Sequence, residues 1–327
     1  MYEYDKRVVL TLDAGGTNFV FSAIQGNNEM ISPIGLPAVS DNLDECLEVL
    51  VKGFDRVIAA IPVPPVAISF AFPGPADYEN GIIGDLPNFP SFRGGVALGP
   101  FLKHKYGIPV FIENDGNLFA YGEALSGALP MINRELSLAG CSREYKNLIG
   151  ITLGTGFGAG VVINKVLLTG DNGCGGDIWL MRNKKYPDML AEESVSIRAV
   201  RRVYSDLSGQ SSASLSPKDI YDIAEGIKEG DSHAAIASFN ELGIMAGAAI
   251  ASVLNVVDGL VVIGGGVAGA SKYILPALIT ELRAQLTTFS GNKFPCVSMQ
   301  VYNGEDESER ARFLSLSDSQ VVIPGTH

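Results

Sequence analysis

Residues 8–12 form an apolar run that predicts a strand, and residues 19–24 predict a second. Between them stands Asp13-Ala14-Gly15-Gly16-Thr17-Asn18, an acid followed by a glycine bend, so the two runs read as a hairpin. From 41 to 59, Leu43, Leu47, Leu50 and Val51 recur at helical spacing, and Asp41 and Asp44 suit a first helical turn. Residues 66–72 are apolar, lie between Pro65 and Pro73, and read as a buried strand. Residues 74–95 read as loop, 96–106 as a short helix, 110–112 as a strand and 117–126 as a helix. The polar cluster Glu113-Asn114-Asp115-Gly116-Asn117 falls at a strand's C-terminal end and before a helix, where α/β folds put their chemistry.

A second unit begins near residue 130, with 131–147 reading as a polar insertion. Residues 148–153 predict a strand, followed by Gly154-Thr155-Gly156-Phe157-Gly158-Ala159-Gly160 and the apolar run 161–163. The opening plan of strand, glycine turn and strand therefore recurs. Residues 192–204, 217–227 and 233–255 read as helices, the last rich in Ala and Gly as close packing on a sheet requires. Residues 260–263 predict a strand, Gly264-Gly265-Gly266 opens the next turn, and 271–286 reads as helix. The tail from 303 is polar until Val321-Val322-Ile323.

Alternating strands and helices over 327 residues point to an α/β protein of two domains. With 24 Lys and Arg against 36 Asp and Glu, the chain carries a net charge of -12, which argues against a general nucleic-acid binder. Anionic small molecules stay open, because backbone N–H groups bind phosphate without net positive charge. The N-terminus has no charged-then-apolar signal pattern, and the run 57–72 is cut by Pro62, Pro64 and Pro65, so no membrane segment is expected. Cys46, Cys141, Cys174 and Cys296 are far apart, which fits a reducing cytoplasm better than a disulfide framework.

Three glycine turns follow three strands, and each can offer backbone N–H groups to an oxygen-rich anion. Asp13 beside the first turn suggests a contact to Mg²⁺ or to its water. Gly264-x-Gly266-x-x-Gly269 also matches a dinucleotide fingerprint locally, but the region after it makes a poor Rossmann half. No P-loop and no G-x-S-x-G elbow occurs. Asp115 can accept a hydroxyl proton while its neighbours hold a substrate. The competing reading makes Asp115 or Asn117 a helix N-cap.

Six motifs occur in order: Asp13 to Asn18, Pro73-Gly74-Pro75-Ala76-Asp77, Pro87-Asn88-Phe89-Pro90, Glu113 to Asn117, Leu153 to Gly158, and Gly264-Gly265-Gly266-Val267. The series resembles the ROK family of sugar kinases, within the hexokinase/actin-like ATPase superfamily. The resemblance implies two ribonuclease-H-like (actin-like ATPase) domains flanking a catalytic cleft. Residues 1–128 and 129–302 are the expected domains, and 303–327 a tail that returns to the first. It implies transfer of the γ-phosphoryl of ATP to a hexose hydroxyl at C6, with glucose as the default sugar, in a cytoplasmic homodimer. Asp115 matches the general base, and Gly74, Asn88 and Asn114 match sugar-contacting positions. Gly15, Gly16, Thr17 and Asn18 match the first phosphate turn, with Asp13 on the Mg²⁺ side through water. Thr155 and Gly156 match the second turn, and Gly265 and Gly266 the adenosine side. ROK repressors carry an extra N-terminal DNA-binding domain, for which a first turn at Asp13 leaves no room.

The chain departs from that pattern at one place. The family commonly has Gly-Glu-x-Gly-His, then a cysteine cluster that holds zinc, then a Glu four residues before a Ser. Here Gly176-Asp177-Ile178-Trp179 stands at the first part, so Asp177 replaces the sugar-binding Glu. Glu192 and Ser196 keep the later spacing, and Glu192 matches the second sugar carboxylate, with Glu193 read as its alternative or as a helix-surface acid. Trp179 either stacks on a sugar or fills the space a zinc lobe would support. An N-acetylhexosamine, fructose or allose kinase, and a non-catalytic sugar-responsive protein, remain alternatives, with an NAD-dependent enzyme a distant third. Cys174 alone cannot build a tetrahedral site, which needs four ligands, so no structural zinc is expected. Elemental analysis of chelator-washed protein should find no stoichiometric zinc, and one zinc per chain would contradict this.

Overall fold

The computed structural model describes residues 2–15, 18–72, 74, 76–84 and 90–315. Contacts divide the chain into two units, 1–118 with 169–174, and 119–168 with 175–327.

In the first unit, β1 (Val9–Ala14) pairs antiparallel with β2 (Asn18–Gln25), which also carries the short β3 (Asn28–Glu29) and β4 (Ile34–Pro37). On its other side β1 pairs parallel with β5 (Ala67–Ala71). The helix α1 (Leu43–Ala60) makes the crossover between the β2 side and β5. Asn42 caps it by accepting from the Glu45 amide at 3.3 Å, so Asp44 lies in the first turn and Asp41 precedes the helix. Cys46, Leu50, Phe54 and Val57 of α1 are buried with Leu10, Leu12, Phe21, Ile68 and Phe70 in one core. Burial pushes the Cys46 thiol up to about 11, and no disulfide joins Cys46, Cys141, Cys174 or Cys296. Residues 74–95, expected as loop, contain the small hairpin β6 (Ala76–Asp77) and β7 (Ile82–Ile83). Then α2 (Leu98–Tyr106) ends at Gly107 in the left-handed region, and β8 (Val110–Glu113) joins the sheet parallel to β5.

The division between the units falls inside α3 (Asp115–Leu125). The second unit corrects the expected insertion at 131–147, because α4 (Ala128–Leu138) occupies its first half. Leu129 and Leu136 lie on one helical face and are buried, while the polar residues between them mask that pattern in the sequence. Asn133 then folds the following segment back, exchanging two hydrogen bonds of 2.8 Å with the Tyr145 backbone.

The sheet of this unit has the order β11-β10-β9-β12, from β9 (Leu148–Leu153), β10 (Phe157–Ile163), β11 (Val166–Leu167) and β12 (Leu260–Gly264). As in the first unit, the opening strand has an antiparallel hairpin mate on one side and a parallel strand on the other. Three helices, α5 (Ile197–Ser208), α6 (Pro217–Ala224) and α7 (Ser232–Val257), lie between β11 and β12, and α8 (Ser271–Leu282) follows. The expected helix at 192–204 is two elements. A 3₁₀ turn covers Ala191–Ser194, and Ser196 then caps α5 by accepting from the Ala199 amide at 3.3 Å. By length and composition α7 alone, among the described residues, is apolar enough to cross a bilayer. Its Phe239, Leu242, Met245, Ile250 and Leu254 are buried among α5, α6 and α8, so the helix forms the core of this unit.

The expected helix at 271–286 stops at Leu282, because residues 285–287 leave it to pair as β13 (Gln285–Thr287) with β14 (Lys293–Pro295). The last helix, α9 (Glu307–Leu314), is held by Arg310, which meets both oxygens of Glu135 at 2.6 and 2.8 Å.

Close approach of α1 to the sheet depends on Gly53, where a Cβ would overlap the ring of the fully buried Phe21. Gly53→Ala should therefore destabilise the protein by about 1–3 kcal/mol through overpacking, although alanine favours helix. Urea unfolding checks this, and a stabilised variant would mean that α1 does not sit on Phe21.

Candidate functional site

Backbone pairing brings Asp13 and Asp115 to the same sheet edge. Asp13 is level with Ala71 in the parallel ladder of β1 and β5, and Ala71 is level with Glu113 in that of β5 and β8. Adjacent strands lie about 4.8 Å apart, so the Asp13 and Glu113 backbones stand about 10 Å from each other at the strands' C-terminal ends. Asp13 and Asp115 are both exposed there.

The cap of α3 belongs to Asn114 and not to Asp115 or Asn117. Asn114 Oδ1 accepts from the Gly116 amide at 2.9 Å and from the Asn117 amide at 3.4 Å. That leaves the Asn114 Nδ2 group as the part of the side chain able to donate to a ligand. Asp115 stands at the positive end of α3, a position that suits a carboxylate. One of its oxygens accepts from the Gly116 amide at 2.9 Å, and the second is available as an acceptor. Glu113, which the sequence reading did not single out, holds the cluster in place. Its Oε1 accepts from the Asn114 amide at 2.9 Å and from Nδ2 of the buried Asn117 at 3.1 Å.

Of the other residues expected on this side, Gly15 and Asn18 lie at the tip of the β1–β2 hairpin, and Gly74 follows β5. Gly16, Thr17 and Asn88 lie outside the described residues. Among the described residues no group of three His, Cys, Asp or Glu stands together to hold a metal. A single exposed carboxylate such as Asp13 fits Mg²⁺, which takes one or two protein carboxylates and completes its shell with phosphate and water.

In the second unit two glycine segments share an edge. Gly264 is level with Thr152 in the parallel ladder of β12 and β9, so Gly265-Gly266 emerges beside the turn Gly154-Thr155-Gly156. Gly265 has φ +91°, and a Cβ on it would overlap the Leu153 carbonyl, so only glycine serves there. Thr155 is exposed at the tip of the other turn.

Glu192 is joined to that turn directly. Its Oε2 accepts from the Phe157 amide at 3.0 Å, and the Gly154 carbonyl accepts from the Ile197 amide at 2.9 Å. Its Oε1 faces Arg198, which bridges to Glu193 as well, both at 3.1 Å. These carboxylates, Glu192 first, hold the Arg198 guanidinium more firmly protonated. Arg198 is a further residue that the sequence reading missed. Asp177 is exposed and accepts from the Trp179 indole N–H at 3.1 Å, while Trp179 packs against the core of this unit. The indole is thus occupied in fixing the Asp177 carboxylate.

A profile of the ROK family matches residues 9–308. The chain is 60% identical to a glucokinase of Parabacteroides distasonis ATCC 8503 with a solved crystal structure, over 100% of this chain and 89% of that one, with a TM-score of 0.88. It is 26% identical to the glucokinase of Thermotoga maritima over 84% of this chain and 86% of that protein. It is also 24% identical to the xylose repressor of Bacillus subtilis, over 76% of this chain and 61% of the repressor.

Gly156 leaves no room for a side chain, since a Cβ would stand 2.6 Å from Glu192 Oε2. Gly156→Ala should therefore push the carboxylate away from the Phe157 amide. The ¹⁵N–¹H resonance of Phe157 should move in the same direction in Gly156→Ala and in Glu192→Ala. An unmoved resonance in Gly156→Ala would show that the carboxylate does not sit against the turn.

Proposed function

The chain belongs to the ROK family, and we propose that it is an ATP-dependent hexose kinase, glucokinase-like, that phosphorylates its sugar at the C6 hydroxyl. The fold is the α/β two-lobed one of ROK proteins and hexokinases. One observation carries the catalytic reading: an exposed carboxylate at the start of α3, with an oxygen open to a ligand, on the same strand edge as Asp13.

In this reading Asp115 takes the proton of the hexose hydroxyl as its oxygen bonds to the γ-phosphorus of ATP. The bond from that phosphorus to the bridging oxygen breaks, and ADP leaves with the electron pair. Asn114 Nδ2, Gly74, Asn88, Asp177 and Glu192 contact the sugar. Gly15, Gly16, Thr17 and Asn18 hold phosphate oxygens in the first turn, and Thr155 and Gly156 in the second. Gly265 and Gly266 lie against the adenosine. Asp13 would hold Mg²⁺ through water, and the bound ion would supply neutralisation of phosphate charge. Fixed backbone dipoles aimed at the transferring group need no reorganisation during the reaction, which is the main source of rate in such a site. The proposal extends to a cytoplasmic homodimer.

The likeness to a xylose repressor favours a second reading, a sugar-responsive protein without turnover. Such a protein has no need of both Asp13 and Asp115. A screen of ADP release over a panel of sugars with Mg²⁺ and ATP separates the two. Glucose should give ADP, with the product phosphate on O6 by phosphorus–carbon correlation spectroscopy. Turnover with an N-acetylhexosamine, fructose or allose in place of glucose keeps the kinase and changes its substrate. Sugar binding without ADP from any member of the panel would overturn the kinase reading.

A further inference from the structure

We propose that Asn183 is the positioning residue that sets Glu192 against the second glycine turn. The proposal rests on the reading of Glu192 as a sugar-contacting carboxylate.

Asn183 is 2% exposed, and its side chain uses its whole hydrogen-bonding capacity. Nδ2 donates to the Leu190 carbonyl at 3.1 Å and to Ser194 Oγ at 2.8 Å. Oδ1 accepts from the Lys185 amide at 2.9 Å and from the Tyr186 amide at 3.0 Å. The two acceptors of Nδ2 lie two residues before and two residues after Glu192, so one amide group grips both sides of the segment that carries it. Backbone bonds close the same loop. The Asn183 amide donates to the Met189 carbonyl at 3.0 Å and the Ala191 amide to the Met181 carbonyl at 2.7 Å.

The far end of this clasp is the site itself, where Glu192 Oε2 meets the Phe157 amide. Lys184 and Lys185 also tie the loop outward, to Glu281 at 2.6 Å and to Glu241 at 2.7 Å. Both lysines are about half exposed, and ion pairs of that kind contribute little. A buried amide with four partners is different, because removal of one group leaves several others unsatisfied. The loop 182–190 is therefore closed around an amide, and the register of Glu192 follows from it.

The test is a double-mutant cycle on the full chain, with glucose and ATP as substrates. Asn183→Asp keeps the shape and the two acceptor contacts and removes both donors. It should raise KM for glucose roughly tenfold while KM for ATP stays within about twofold. In the Glu192→Gln background the same change should add less than about a twofold loss, since the residue it positions is already altered. Where Asn183→Asp does not fold, Ser194→Ala, which removes one acceptor beside Glu192, should raise KM for glucose roughly threefold with the same coupling. A lowered melting temperature with unchanged KM for glucose, or losses that multiply in the double variant, would overturn the assignment to Asn183 and leave Glu192 as it is. An unchanged KM in Glu192→Gln alone would overturn the reading of Glu192 and the assignment of Asn183 with it.

Discussion

The ladder of β1, β5 and β8 fixes where the acids of the first unit stand. Parallel backbone hydrogen bonds set Asp13, Ala71 and Glu113 level. A slip of one residue in either pairing would turn Asp13 or the segment after β8 to the opposite face of the sheet. Burial prevents the slip, because Leu10 and Leu12 of β1, Ile68 and Phe70 of β5 and Ile112 of β8 belong to one core. The apolar positions thus determine where the acids stand. Asn114 and Glu113 then refine the position, the first as the cap of α3 and the second as a brace under that cap.

The second unit reaches a comparable result with less regular structure. Its two glycine segments leave the sheet beside each other, and the carboxylate that meets them comes from a 3₁₀ turn outside the sheet. A turn of four residues has little rigidity of its own. It is gripped on both sides by the Asn183 amide, and Ser196, the cap of α5, follows it. Polar bonds of this kind are worth about 1 kcal/mol net when made and more than that when one buried partner is lost. The segment is therefore held by a few bonds that stand or fall together, a different kind of constraint from the apolar ladder of the first unit.

What could be read from the sequence follows this division. The strands β1, β2, β5, β8, β9 and β12 were legible because apolar runs are local signals, whereas the short β3, β4 and β11 were not, and residues 157–160, read as part of a glycine turn, belong to β10. The strand–polar cluster–helix placement of Asp115 was legible for the same reason. The helix α4 was not, since Asn133, Arg134 and Glu135 outweigh the buried Leu129 and Leu136 in the local pattern. The cap of α3 was not legible, because Asn114, Asp115 and Asn117 can all cap, and only the backbone path chooses among them. Asn183 gave no signal at all. Its function arises from residues 185, 186, 190 and 194, which a turn brings around one amide. Glu192 was singled out by its spacing to Ser196, but its contact with Phe157 is a feature of the fold and could not be anticipated.

The central claim is that the carboxylate at the start of α3 accepts the proton in the reaction. Its most direct measurement is a single-turnover experiment on Asp115→Asn, with glucose binding followed by calorimetry on the same preparation. The account predicts a chemical step slower by roughly 10²–10⁴-fold with glucose affinity nearly unchanged. A phosphoryl-transfer rate within about twofold of the parent protein, in a variant that binds glucose normally, would contradict it.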